Sequence, residues 1–192
     1  MPAARVLNAP GWAADERYRI DARAEGLATF EQALPMVLGL LRDRFKLSAK
    51  KETRELPVYL LQTARSDGAP GPRMRKTDRD CLNREAAAKA AAAAGPDALV
   101  CGIRTGTGRL TGGAMSVANL LGTVSAASGR PVINQTGLDG LYDIDLEWAP
   151  TPDAAGLSIF TAVEEQLGLK LESGTAPLDV VVVERIERPT EN

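Results

Sequence analysis

The sequence predicts an α+β domain built from repeated helix plus β-hairpin units, with helices packed on antiparallel sheet. Three observations carry that prediction. A helical apolar stripe followed by alternating residues occurs near the start, in "RDRFKLSAKKETRELPVYLL", and again near the end, in "EEQLGLKLESGTAPLDVVVV". A weaker version lies between them, where Val117, Leu120, Leu121 and Val124 precede "GRPVIN" and "LYDIDLEW". Finally, one such unit carries an apolar face that it cannot bury alone, so copies must stack.

The elements follow in order. "ERYRIDARA" alternates Tyr18, Ile20, Ala22 and Ala24 with Arg17, Arg19, Asp21 and Arg23, the period of a strand with one wet face. Thr29 and Gln32 make a capping box ahead of a helix that sets Val37, Leu38, Leu41 and Phe45 on one face. Pro35 lacks an amide hydrogen, so a kink, or a helix start near Pro35, is expected. Leu47 and Ala49 open a strand, "KKETRE" is expected to turn, and Val58 and Leu60 continue a second strand. The closing segment repeats the series at an offset of 122 residues, Ile159, Phe160, Val163 and Leu167 matching Val37, Leu38, Leu41 and Phe45. Leu169 and Leu171 match Leu47 and Ala49. After a shorter turn, Pro177, Leu178 and Val180 match Pro57, Val58 and Leu60. In the middle copy "QTGLDG" supplies the turn. Tyr142, Ile144, Leu146 and Trp148 then face inward, opposite Asp143, Asp145 and Glu147.

The chain thus divides into a first strand–helix–hairpin unit at 1–65, an insertion at 66–113, a second helix–hairpin unit at 114–150 and a third at 151–192. The insertion begins with the charged loop "RSDGAPGPRMRKTDRD". It continues through an Ala-rich helix supported by Glu85 and Lys89 at i,i+4 spacing and closed by Gly95-Pro96, and ends in the flexible link "GIRTGTGRLTGG".

Composition removes several function classes. A net charge of −2 favours no charged partner, and no basic stripe with interleaved aromatics marks a nucleic-acid surface. The chain contains no histidine, which excludes Ser-His-Asp and Cys-His catalysis and the commonest metal ligand. No run of about 18 apolar residues is present, so no transmembrane segment is expected. The opening "MPAARVLNAPGW" lacks the apolar stretch of a signal peptide, which makes the chain either cytoplasmic or a trimmed piece of something longer.

Four groups of residues are candidates for chemistry. Cys81 and Cys101 bracket the Ala-rich helix, and a disulfide between them would stabilise by roughly 3 kcal/mol and point to an oxidising compartment; two unrelated thiols are the alternative. Asp143, Asp145 and Glu147, with Asp139 in the preceding turn, have the spacing of Ca²⁺ ligands or of a glycosidase pair. Acids alternating with apolar residues equally describe a solvated sheet face, and no EF-hand pattern is present. Gly106, Gly108, Gly112 and Gly113 miss the spacing of phosphate-cradling loops and read as a linker. Arg42, Arg44, Lys46 and "KKETRE" form a local basic patch, the usual composition of a solvated hairpin tip. No catalytic, cofactor or metal residue is assigned.

On "APGWAADERYRIDARA", the R-F-K-L…E-T-R-E-L-P-V-Y segment, the G-R-P-V…T-G-L-x-G-x-Y-D segment and the closing P-x-E-N, the chain resembles the uncharacterised soil-associated protein family of bacteria. The resemblance covers most of the chain. It implies an exported or envelope-anchored protein, since members usually begin with a signal peptide, and related domains can follow membrane-embedded sensor metallopeptidases. Members also usually carry an extra strand–helix segment before the P-G-W motif, which fits a trimmed chain. Pro35 departs from the family pattern at the helix start. The family has no established catalytic residues to carry over.

Taken together, these readings lead to the expectation of a non-catalytic extracytoplasmic binding or protein-interaction module, periplasmic or extracellular, with an envelope protein as partner and no cofactor. A carboxylate-dependent polysaccharide hydrolase using Asp139, Asp143, Asp145 or Glu147 is one alternative. A sensor domain for a membrane-embedded peptidase is the other.

Overall fold

The computed structural model describes residues 5–21, 29–79, 81, 89, 99 and 101–189. Helices and strands are mixed, and the strands form two four-stranded sheets. The chain separates into two compact units: Met1–Glu55 with Pro177–Asn192, and Leu56–Ala176.

Two long strands run through both units, β2 at Ser48–Thr63 and β8 at Leu169–Arg185. They replace the two expected hairpins. "KKETRE" holds no Gly, Asn or Asp to enter a tight turn, so the strand continues through it. The partner of β2 is instead β8. Ser48 donates to Glu184 at 3.0 Å, Thr53 to Asp179 at 3.0 Å, and the Ala64 amide to the Gly168 carbonyl at 2.8 Å. Rising numbers on one strand meet falling numbers on the other, so the pair is antiparallel. Two of the three basic residues of this stretch are neutralised locally, Lys50 and Arg54 by Glu52 at 3.0 and 2.7 Å.

In the first unit, β1 (Val6–Leu7) lies parallel to β8, Val6 opposite Val181. Helix α1 (Trp12–Asp15) precedes α2 (Phe30–Phe45). The capping box forms: the Thr29 hydroxyl accepts from the Gln32 amide at 3.3 Å and the Thr29 amide donates to Gln32 Oε1 at 2.9 Å. Those bonds fix the start of the helix at Phe30, and it runs on through Pro35. Phe45 is buried, but Val37 and Leu38, expected inside, are exposed. Of the strand expected in "ERYRIDARA", the described residues 16–21 join no sheet, and Ala22, Arg23 and Ala24 lie outside the described residues. Aromatic contacts hold this stretch instead, Tyr18 meeting Phe45 edge-on at 5.2 Å and Trp12 at 6.4 Å. Arg188 ties the unit together, forked on Glu16 at 2.6 and 3.0 Å with its guanidinium 5.0 Å over the Trp12 ring. Arg188, then the Tyr18 hydroxyl, hold the Glu16 carboxyl below its usual range.

The second unit holds the main core. Its strands β3 (Met74–Thr77), β4 (Gly102–Gly106), β5 (Arg109–Met115) and β7 (Leu141–Glu147) form an antiparallel sheet in the order β3-β7-β5-β4. Helices α3 (Val117–Ser128) and α4 (Ile159–Leu167) supply the apolar cover, and β6 (Val132–Asn134) pairs parallel with β2, Tyr59 opposite Val132. The middle hairpin is therefore not formed: β6 joins one sheet and β7 the other. The stripes of both helices are as expected, with Val117, Leu120 and Val124 of α3 and Ile159, Val163 and Leu167 of α4 buried. Phe160 is the exception, exposed but edge-on to Tyr59 at 5.1 Å. Tyr142, Ile144 and Leu146 face this core as their alternation requires.

Residues 102–113, expected as a flexible link, make the β4–β5 hairpin, and Leu110 in it is fully buried. Thr107 and Gly108 make the tight turn between the paired Gly106 and Arg109; Gly108 has φ +70°, a conformation costly to a side chain. The Ala-rich helix with Glu85, and its Gly95-Pro96 end, lie outside the described residues.

A loop laces the end of α4. The last carbonyls of a helix have no partner within it. Here Gly71 donates to Leu167 at 2.7 Å, Arg73 to Gln166 at 2.8 Å and Ala64 to Gly168 at 2.8 Å. Arg65 and Asp67 set the turn at the loop's start, the guanidinium gripping both carboxylate oxygens at 3.0 and 2.8 Å. Arg65, then the Ala69 amide, lower the Asp67 carboxyl from its ordinary 3.8 to about 2. A lowered folded-state value means the contribution to stability is complete above 3.8 and is lost as pH falls through about 2. Asp67→Asn should therefore lower the neutral-pH midpoint slightly, the pair being exposed, and flatten the fall in stability over that window, so that variant and parent converge below about pH 2, read by denaturant titrations at stepped pH.

Candidate functional site

The outer face of the second unit's sheet concentrates its charge. Pairing places Arg75 opposite Asp143, Arg109 opposite Glu147, Thr111 opposite Asp145 and Arg104 opposite Thr111. Residues directly opposite in an antiparallel pair share a face, so these groups rise on the side away from Ile144 and Leu146. Arg73, just before β3, joins them through its carbonyl, which accepts the Asp145 amide at 3.1 Å.

The side chains interlock. Arg73 meets Glu147 at 3.1 Å and Asp145 at 3.8 Å; Arg109 meets the same two acids at 3.1 and 3.3 Å. Asp143 has a different task. It takes Arg79 at 2.9 Å on one oxygen and the Ala114 amide at 3.1 Å on the other. Ala114 sits at φ +52°, where the β5–β7 register shifts, so Asp143 satisfies an amide that this bulge turns away from the ladder. Arg79 also donates to the Leu99 carbonyl. Gln166 of α4 closes the far end, its amide group exchanging bonds with the Glu147 backbone at 2.8 and 3.0 Å.

Between these groups lies an open groove of about 440 Å³, lined by Arg73, Arg75, Arg79, Arg109, Asp143 and Asp145 together with Pro72 and Leu99. Among the described residues, this face carries five guanidinium groups against three carboxylates. Arg75 and Arg104 are exposed and hold no ion pair among the described residues.

The residues singled out in sequence fall as follows. Asp143, Asp145 and Glu147 come together on one face, each bound to arginine. Asp139 is exposed in the preceding loop, where its carbonyl accepts the Tyr142 hydroxyl at 3.1 Å. A glycosidase needs two carboxyl groups facing a substrate; here the three strand acids face guanidinium groups. Among the described residues no three or more carboxylates and thiols gather as metal ligands. Gly112 and Gly113 pack inside the β5 bulge region rather than cradling a phosphate. Cys81 and Cys101 stand within bonding distance, their Cα atoms 5.6 Å apart, within the span of a disulfide. The arginines were missed. In sequence they are scattered through a charged loop and a glycine-rich stretch, and only strand pairing assembles them.

Comparison with known families finds that a model described as "Protein of unknown function (DUF3738)" matches residues 1–186. No curated protein and no solved structure matches the chain. Among the described residues, no helix is long and apolar enough to cross a membrane.

Proposed function

The chain belongs to the DUF3738 family of proteins of unknown function, and on that premise we propose that it is a non-catalytic, extracytoplasmic binding module whose arginine-rich sheet face takes an anionic group of its partner. The observation that carries this reading is the groove in which guanidinium groups outnumber carboxylates. Arginine presents a planar fork of donors that matches carboxylate and phosphate oxygens in pairs. Arg73, Arg79 and Arg109 are held in place by the strand acids, which leaves Arg75 and Arg104 to meet the ligand. The acids in this reading orient cations, and no proton transfer is assigned to them.

The compartment rests on the cysteines. A Cys81–Cys101 disulfide would persist only where the surroundings are oxidising, and the resemblance to exported soil-bacterial proteins points the same way. Thiol titration of denatured protein taken from its native compartment should find no free thiol; two would return the chain to the cytoplasm.

Binding is tested with polygalacturonate as a carboxylate probe, polyphosphate as a phosphate probe and dextran as a neutral control, by isothermal titration. One anionic probe should bind and dextran should not. Arg75→Ala with Arg104→Ala should weaken that binding at least about tenfold, the worth of a charged hydrogen bond, without moving the thermal midpoint. Absence of binding to both anions, or binding that the double variant leaves intact, would remove this face as the site.

A further inference from the structure

We propose that β4 is a docking edge for an extended acidic segment of a partner protein, which adds to the second unit's sheet as one more antiparallel strand. The inference rests on the reading of the arginine face given above and names the kind of anion that face takes. Among the described residues β4 ends the sheet, with β5 on one side and no strand on the other. All five of its residues, Gly102–Gly106, are exposed. The ladder fixes which backbone groups stand open. Gly106 and Arg109 flank a two-residue turn and bond each other, and bonded and non-bonded pairs alternate from there. Arg104 therefore bonds Thr111, while Ile103 and Thr105 turn their N–H and C=O groups outward.

Both faces of this edge say what it takes. On the apolar side Ile103 continues a row that runs from Met74 through Ile144 and Gly112. Met74 and Ile144 are buried, yet Ile103 is 46% exposed; the core layer reaches the edge and stops one strand short of covering its last member. On the wet side Arg104 ends the row that runs from Asp145 through Thr111. Asp145 already serves Arg73 and Arg109, and Arg104 meets no acid among the described residues. A residue opposite Arg104 on an added strand would be its cross-strand neighbour at about 5 Å, so a carboxylate there supplies the counter-charge. The residues before and after that carboxylate would lie opposite Ile103 and Thr105, on the apolar side. The occupant is thus an apolar–acidic–apolar strand, held by main-chain bonds and selected by alternate side chains. A second copy of β4, bonded through the same outward groups, would instead set Arg104 against Arg104, and like charges directly opposite repel.

The probe acetyl-Glu-Val-Glu-Val-Glu-amide matches the five residues of β4; titration into the full chain to about 1 mM by calorimetry tests the proposal. It should bind, and Val-Val-Glu-Glu-Glu, of equal charge without the alternation, should bind at least about tenfold more weakly. N-methylation of both valine amides keeps the charge, removes the donors and should weaken the probe at least about tenfold. Thr105→Pro removes one outward donor at an edge position that tolerates proline. It should do the same to the probe and leave binding of the anionic polymer within about twofold of the parent. Arg104→Glu should weaken the probe at least about tenfold, and lysine at the probe's centre should restore it to within about threefold. Circular dichroism checks the fold of each variant, and the methylated probe decides the matter on the parent chain alone. A chain that binds an anionic polymer but not the probe overturns the added strand and leaves the arginine face standing; one that binds neither overturns both. A probe that binds regardless of methylation and of Thr105→Pro is an anion resting on the face, which overturns the proposal. A dimer in sedimentation velocity that Thr105→Pro dissolves would assign the edge to a second copy and overturn it equally.

Discussion

Gly71→Ala should lower the stability of the second unit by about 3 kcal/mol, although it adds only a methyl group in a loop. A Cβ on Gly71 would stand 2.5 Å from the Gly168 amide nitrogen, 2.6 Å from the Gln166 carbonyl oxygen and 2.6 Å from the Leu167 carbonyl carbon. All three are backbone atoms at the end of α4, so no side chain can rotate away. Either the loop or the helix end must shift, and the bonds from Gly71 to Leu167 and from Arg73 to Gln166 go with it. Gly122→Ala is the matched control. Gly122 lies inside α3 with nothing within 4 Å of a built Cβ, so alanine there should stabilise by roughly 0.5–1 kcal/mol through helix propensity. Denaturant unfolding followed by Trp148 fluorescence in a Trp12→Phe background reads the second unit for both variants. Equal midpoints for the two would mean that the loop does not clasp the helix end.

Leu146→Ala should cost about 3 kcal/mol, within the range for a fully buried leucine. Leu146 lies directly opposite Leu110 in the β5–β7 ladder, and both are fully buried against α3 and α4. Rigid strands on either side prevent collapse of the site, so the cavity term is retained. Asp145→Asn, one residue away on the wet face, should change stability by well under 1 kcal/mol, because exposed ion pairs contribute little. The contrast checks the strand's polarity in a single assay. A comparable loss for both would place Asp145 in a more demanding role than orienting arginine.

Much of the local structure was legible in sequence. The alternation in "LYDIDLEW", the stripes of α3 and α4 and the Thr29–Gln32 capping box all formed where their spacing placed them. So did the proximity of Cys81 and Cys101. The failures share one cause. "KKETRE" looked like a turn because it is polar, yet polarity is also what an exposed strand requires, and no residue in it favours positive φ. "GIRTGTGRLTGG" looked like a linker because it is glycine-rich, but its glycines serve a hairpin turn and a bulge. "ERYRIDARA" alternates correctly, but its described residues, 16–21, join no sheet, and its aromatic ring found Phe45 and Trp12 instead.

By itself, then, the sequence determined the helices α2, α3 and α4 and the strand in "LYDIDLEW", and which side of each is apolar. Those properties follow from the 3.6- and 2-residue periods of the backbone and need no distant partner. Only the tertiary structure decided that β2 pairs with β8, that five arginines and three acids share one sheet face, and that Gly71 meets Gly168. Each of these joins residues remote in the chain. Which contacts form depends on competition between burial and loop closure over the whole molecule, and no local pattern records the outcome of that competition.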